Sequence, residues 1–326
     1  MLLRINLGLL LLMSIGSQEI FGQFKIGGKE VVLIKAPSNL GLKKMMYADA
    51  SGPGVRKMPQ IFDDFKFSER LGIERVIASM PPLYTGKLDR ASGIRNVKEL
   101  REYSIELSSV IEKEVKDQKF PIIIGGDCSI LLAPALALRG IGDYGLAHID
   151  GHTDFAIGNK SSTTGGAAGM DLALVTGRGH HSLSNLLGLS PYFKDSNVGQ
   201  FGNRGNDETF NGDFYRTEIY KANLSALRKS DIKTIVESFA NRLRSTNVKG
   251  FWIHVDLDVL HDSLMPAVDS RQADGLDYNE LSQLIKHLLD TGLAVGIQFT
   301  IYDPDLDSSK KIGKRLVDEL VDLFSK

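Results

Sequence analysis

One cysteine, Cys128, stands in 326 residues, so no disulfide framework can form within the chain. Cys128 is therefore a buried structural thiol, a nucleophile or a metal ligand. An excess of charge of one sign is missing too: 39 Lys and Arg face 40 Asp and Glu, a net charge of −1. With no polybasic tail either, nothing points to nucleic acid as a partner. The chain also has no internal repeat, low-complexity tract or clean linker, which favours one domain over residues 23–326. What it does have is apolar residues at 42%, enough for a full soluble core.

The first 22 residues are set apart. Arg4 supplies a positive charge, and Ile5 to Ile15 is a mostly apolar run of signal-peptide length, too short to span a bilayer comfortably. A polar stretch, 16–19, follows, and cleavage before Gln23 fits the pattern apart from the bulky Ile20. A signal peptide is expected, with export to the periplasm or medium. The alternatives are an uncleaved N-terminal anchor and a misplaced start codon with a cytoplasmic protein.

From residue 30 onward, short β-rich runs alternate with helical patterns. Val31–Ile34, Glu74–Ser79, Pro121–Ile124, Gly145–Ile149, Phe251–Val255 and Ala294–Ile301 read as strands. Pro121-Ile122-Ile123-Ile124 has no polar alternation, as in a strand buried on both faces. Helical spacing marks about 97–116, 129–138, 233–244, 279–289 and 311–324. Such alternation predicts a three-layer α/β/α fold with a mostly parallel central sheet. Residues 155–230, rich in Gly, Ser, Thr and Asn, are expected to form long loops over that sheet.

In open α/β sheets, ligands bind at the carboxyl ends of the strands. Three predicted strands deliver polar clusters there: Gly-Gly-Asp-Cys-Ser (125–129), Asp-Gly-His-Thr-Asp (150–154) and Asp-Leu-Asp (256–258). Side chains two apart on extended backbone share a face, so Asp150, His152 and Asp154 should converge, as should Asp256 and Asp258. So many carboxylates at low dielectric call for a cation. Carboxylate with imidazole suits Mn or Zn better than Ca. The plainer reading is that these aspartates only cap turns.

These blocks, with His254–Leu260, resemble the three metal motifs of the arginase, agmatinase and formimidoylglutamase (ureohydrolase) superfamily. Met265–Val268, Ile301–Asp307, Asn39-Leu40-Gly41 and Gly54-Val55-Arg56 resemble further family segments, so the likeness covers roughly residues 30–326. It implies an arginase-like fold with two divalent metal ions, manganese above all. Asp150 and Asp256 would bridge the metals, Asp154 and position 128 would complete one shell, and His152 and Asp258 the other. His152 and Asp154 are also the candidate catalytic residues.

Three departures stand out. The family usually has His where this chain has Cys128, and a thiolate shifts preference toward Zn or Fe. Ala168 replaces a His that in arginases is thought to shuttle protons. Ile301 replaces a substrate-binding Glu, whose loss costs a buried guanidinium about 3–5 kcal/mol. Asp171, Arg178, His180 and His181 are candidate polar contacts near the Gly165–Gly169 stretch, though the polar surroundings of the two histidines favour reading them as exposed loop residues. His148 and His254 would lie behind the ligands or be satisfied core histidines. Asp303 and Asp305 could accept a cationic substrate group or simply shape a turn.

The resemblance implies hydrolysis of a non-peptide C–N bond in a small guanidino, amidino or formimino compound through a metal-bridging hydroxide. The alternatives are a catalytically degenerate binding protein and a single-zinc amide deacylase. Homo-oligomers are common in the family.

Overall fold

The computed structural model describes residues 23–46, 48–205 and 212–325. The expected signal segment lies outside them. No helix among the described residues is long and apolar enough to cross a membrane.

A nine-stranded sheet forms the middle layer. Its strands are β1 (Lys25–Ile26), β2 (Lys29–Ala36), β3 (Arg75–Ala78), β4 (Phe120–Gly125), β5 (Gly145–Ile149), β6 (Val198–Phe201), β7 (Tyr220–Ala222), β8 (Phe251–Asp256) and β9 (Ala294–Thr300). The order across the sheet is β1-β2-β4-β9-β8-β5-β6-β7, with β3 also on β2. Every pairing is parallel except β1 with β2.

The strand alternation explains the layers. Val31, Leu33, Ile122 and Ile124 belong to one apolar cluster, and Val32, Ile34 and Ile123 to the other. Successive side chains thus enter opposite cores, so Val31–Ile34 of β2 and Ile122–Ile124 of β4 read as unbroken apolar runs. One face is covered by α1 (Val97–Lys116), α2 (Leu132–Ile141) and the short α3 (Asp171–Val175). The other is covered by α4 (Ile232–Ser245), α5 (Tyr278–Asp290) and α6 (Lys311–Ser325). Local signals start these helices: Asp231 caps α4, and Asp277 with Glu280 forms a reciprocal capping box on α5.

Two expectations need correcting. Residues 155–230 are not only loops, because β6 and β7 lie there and extend the parallel sheet past β5. The helix expected from Ser129 is a 3-10 turn over Cys128–Leu131 that continues into α2. The outcome for the site is simple. Strands β4, β9, β8 and β5 are adjacent, and their carboxyl ends carry Cys128, Ile301, the Asp256 pair and the 150–154 segment respectively.

Candidate metal centre

Asp150 follows β5 directly, and one of its oxygens, Oδ1, accepts the His152 backbone N–H at 2.6 Å. Asp256 ends β8, and its Oδ1 accepts the Asp258 N–H at 2.8 Å. Both are therefore turn caps, as the plainer reading held, but through one oxygen each. The second oxygen is left to the site. Asp150 Oδ2 is buried with no hydrogen-bond partner, and Asp256 Oδ2 accepts from the Cys128 thiol at 2.6 Å. Cys128 is held in turn by Thr300 Oγ1 at 3.1 Å and is 1% exposed.

The 150–154 segment does not stay extended. The Asp150 cap turns the chain, and Asp154 adopts φ 43°, in the left-handed region. His152 and Asp154 therefore part company. His152 Nδ1 sits 2.8 Å from Asp258 Oδ2, and Asp150, His152 and Asp258 form one cluster of donor atoms. Asp154 joins Asp150 and His148 in a second. Cys128, His254 and Asp256 make a third, and His148, Asp171 and His254 a fourth. All six residues expected as ligands are buried and fall within these groups.

The electrostatics fit a cation. Burial, and then the neighbouring carboxylates, push Asp150, Asp154 and Asp256 well above the usual carboxylate range. Burial and Asp256 likewise raise the Cys128 thiol. Burial works against a charged His152, yet Asp258 outweighs it and lifts that imidazole to about 10. Burial also opposes a charged Asp258, but His152 holds its carboxyl below the usual range. Carboxylates that repel one another out of water, with Asp150 Oδ2 and His152 Nε2 buried and unpartnered, fit divalent cations bound among them.

Behind the ligands runs a polar chain that sequence reasoning named only in pieces. Trp252 Nε1 donates to Gln298 Oε1 at 2.9 Å, and Gln298 Nε2 lies 2.8 Å from His254 Nδ1. His254 Nε2 lies 3.6 Å from Asp171 Oδ2, and Asp171 Oδ1 is 3.1 Å from His148 Nε2. The two imidazoles stack at 4.8 Å, and His148 Nε2 stands 3.7 Å from Asp150 Oδ2. Asp171 is thus a buried partner of His148 beneath the site, not a contact in the open cavity. Gln200, on the missed strand β6, donates to the carbonyls of Asp150 and His152 at 3.2 and 2.9 Å and fixes that turn from the other side.

Above the site opens a cavity of about 320 Å³, lined among others by Cys128, His152, Asp154, Asp256, Asp258, Ala168, Asp269 and Ile301. That volume holds a small molecule. Several candidates lie away from it. Asp305 pairs with Lys57 at 2.6 Å, Asp303 caps its own turn through Oδ1, and Arg178 pairs with Asp195 at 2.6 Å. His180 caps the short helix that begins at His181. Asp269 was not singled out in the sequence, where it follows Val268 with no motif of its own. Asp269 keeps an exposed surface on the cavity, and the protein crowded around it together with the Asp258 charge raises its carboxyl above the usual range.

The same architecture exists in known proteins. Residues 52–324 match the model of the arginase family. The Bacillus subtilis arginase is 26% identical over 246 residues, covering 75% of this chain and 82% of the relative. The arginase structure from Bacillus caldovelox superposes with a TM-score of 0.78 at 24% identity, over 91% of this chain and 99% of that one. The formimidoylglutamase structure from Bacillus subtilis does so at 0.64 and 17%, over 91% and 86%. The match of sequence over most of the length, on a sheet whose adjacent strand ends carry buried groups that could hold metal ions, is sufficient: this chain belongs to the arginase family and is a ureohydrolase-like hydrolase.

Proposed function

We propose that this chain hydrolyses a non-peptide C–N bond of a small guanidino, amidino or formimino compound at a pair of divalent cations. The observation that carries this is the convergence of Asp150, Asp154, Asp256, Asp258 and His152 from two adjacent strand ends, with Asp150 Oδ2 and His152 Nε2 left unpartnered in the interior.

Bound divalent cations would supply Lewis acidity, acidifying water and polarising the group under attack. The protein's part is to place and orient. Asp150 and Asp256 would help hold the cations, because each has one oxygen pinned by a backbone N–H and the other directed toward the neighbouring candidate ligands. Cys128 and Asp154 would complete one shell, and His152 with Asp258 the other. The cavity over them has room for one small molecule, and His152 and Asp154 stand among its walls. Manganese suits the carboxylate-rich position. The position beside Cys128 suits Zn or Fe better, since thiolate is the softer ligand.

A second reading has specific support. The Cys128 thiol is bonded to Asp256, and Ala168 and Ile301 are apolar where the resemblance expects a proton carrier and an acid. A protein that binds its ligand without turning it over would look like this. Release of ammonia or urea from a panel of guanidines, amidines and formimino compounds, with Mn and Zn tried separately, decides between the two. Turnover supports hydrolysis. Tight binding of one compound with no turnover across the panel supports the binding protein.

A further inference from the structure

The cavity has an acidic side chain that the metal set does not use. Asp269 lines it together with His152, Asp258 and Ile301. The placement is built into the fold. Ile301 N–H donates to Gly126 O at 2.7 Å, and Asp303 N–H donates to Ala267 O at 2.8 Å. The strand end that carries Ile301 is thereby tied to the loop that carries Asp269, and both face the same space. Ile301 sits at φ 80°, a conformation a β-branched residue adopts only when its surroundings impose it. The last strand thus sends an apolar side chain into the cavity at a forced position, while the adjoining loop sends a carboxylate.

Charge decides what that carboxylate is for. Two divalent cations bring four positive charges against Asp150, Asp154, Asp256, Asp258 and a Cys128 thiolate, so Asp269 adds to an uncompensated negative charge at the cavity wall. No Lys or Arg pairs with Asp269 among the described residues. Lys43 is the only Lys or Arg among the described residues lining the cavity. An unpaired carboxylate at the wall of a cavity favours a ligand that brings a positive charge and N–H donors.

We propose that Asp269 is the specificity-determining residue of this cavity, binding the cationic amidinium or guanidinium end of the substrate from the 267–270 loop where Ile301 cannot. This rests on the reading of the site as a two-cation hydrolase. It assigns the charge-reading role to a loop residue rather than to the end of the last strand.

The test is equilibrium binding to the metal-loaded full chain by calorimetry, with n-butylguanidinium as the cationic probe and n-butylurea as its neutral counterpart. Wild type should prefer the cation. Asp269→Asn, close in shape, should weaken n-butylguanidinium about tenfold to a hundredfold and leave n-butylurea unchanged. Asp269→Glu should keep part of the preference. Metal content and melting temperature, read on the same samples, should not move with either substitution, because Asp269 is no ligand. A loaded Asp269→Asn protein that binds the cation as well as wild type overturns the assignment and leaves the hydrolase reading standing. A wild type that takes up no divalent metal overturns both.

Discussion

Trp252 fixes the proton on His254 without touching it. The two stand two apart on β8, and Gln298 of β9 spans them. An indole nitrogen only donates, so the Gln298 carbonyl must face Trp252 and its amide must face His254. His254 Nδ1 therefore accepts and carries no proton. The proton sits on Nε2, on the side of Asp171. Burial holds His254 neutral, well below the ordinary range for the imidazole.

Gln298→Leu should therefore strand two buried groups, the Trp252 N–H and His254 Nδ1. At about 1–3 kcal/mol for each unsatisfied group, a loss of roughly 2–6 kcal/mol is expected. Urea unfolding followed by the emission of Trp252, the sole tryptophan, measures it. A loss under about 0.5 kcal/mol would mean that the chain of bonds does not hold the strands.

Asp171→Asn tests the other end of that chain. Asp171 takes His148 on one oxygen, and His148 stands beside the unpartnered oxygen of Asp150. Groups that orient metal ligands from behind are worth about 10–100-fold in metal affinity. A drop of that size in competition with a chelator is expected, with the fold kept. Unchanged affinity would make Asp171 a packing residue only.

Cys128 should set metal preference. Wild type is expected to hold Zn or Co(II) more tightly than Mn, and its Co(II) form should show a thiolate-to-metal charge-transfer band. Cys128→Ser should lose the band, and Cys128→His should narrow the gap between Zn and Mn. A wild-type Co(II) spectrum without sulfur character would leave Cys128 as a thiol bonded to Asp256.

The turn that carries Cys128 depends on close backbone approach. A Cβ on Gly126 would lie 1.6 Å from the Ser38 carbonyl oxygen, and backbone on both sides cannot yield cheaply. Gly126→Ala should cost about 3 kcal/mol or more in chemical denaturation. Gly140→Ala, in α2 with its nearest neighbour at 3.5 Å, should be neutral or stabilise by up to about 1 kcal/mol. Equal effects at the two positions would contradict the packing described.

The sheet's centre was readable because β4, β5, β8 and β9 are mostly apolar over five to seven residues, each leading into a polar cluster. Strands β6 and β7 escaped because Val198–Phe201 and Tyr220–Ala222 are short, and the first holds Gly199 and Gln200. The convergence of the candidate aspartates was readable because they follow apolar strands at once. The split between His152 and Asp154 was not, since the Asp150 cap bends the chain where alternation predicts extension. Asp171 was noticed but misplaced, and Asp269 went unnoticed. Their roles come from β5, β8 and the cavity, which lie far away in sequence.

Titration of the metal-stripped chain with Mn and Zn, following bound ions per chain and melting temperature together, bears most directly on the claim that these carboxylates share cations. Two ions per chain are expected for wild type and fewer for Asp256→Asn. Loading to about 100 times the dissociation constant should stabilise wild type by about 2.7 kcal/mol for each bound ion. Absence of both uptake and stabilisation in the wild type, under either metal, would show that Asp150, Asp256 and their neighbours meet for some other reason.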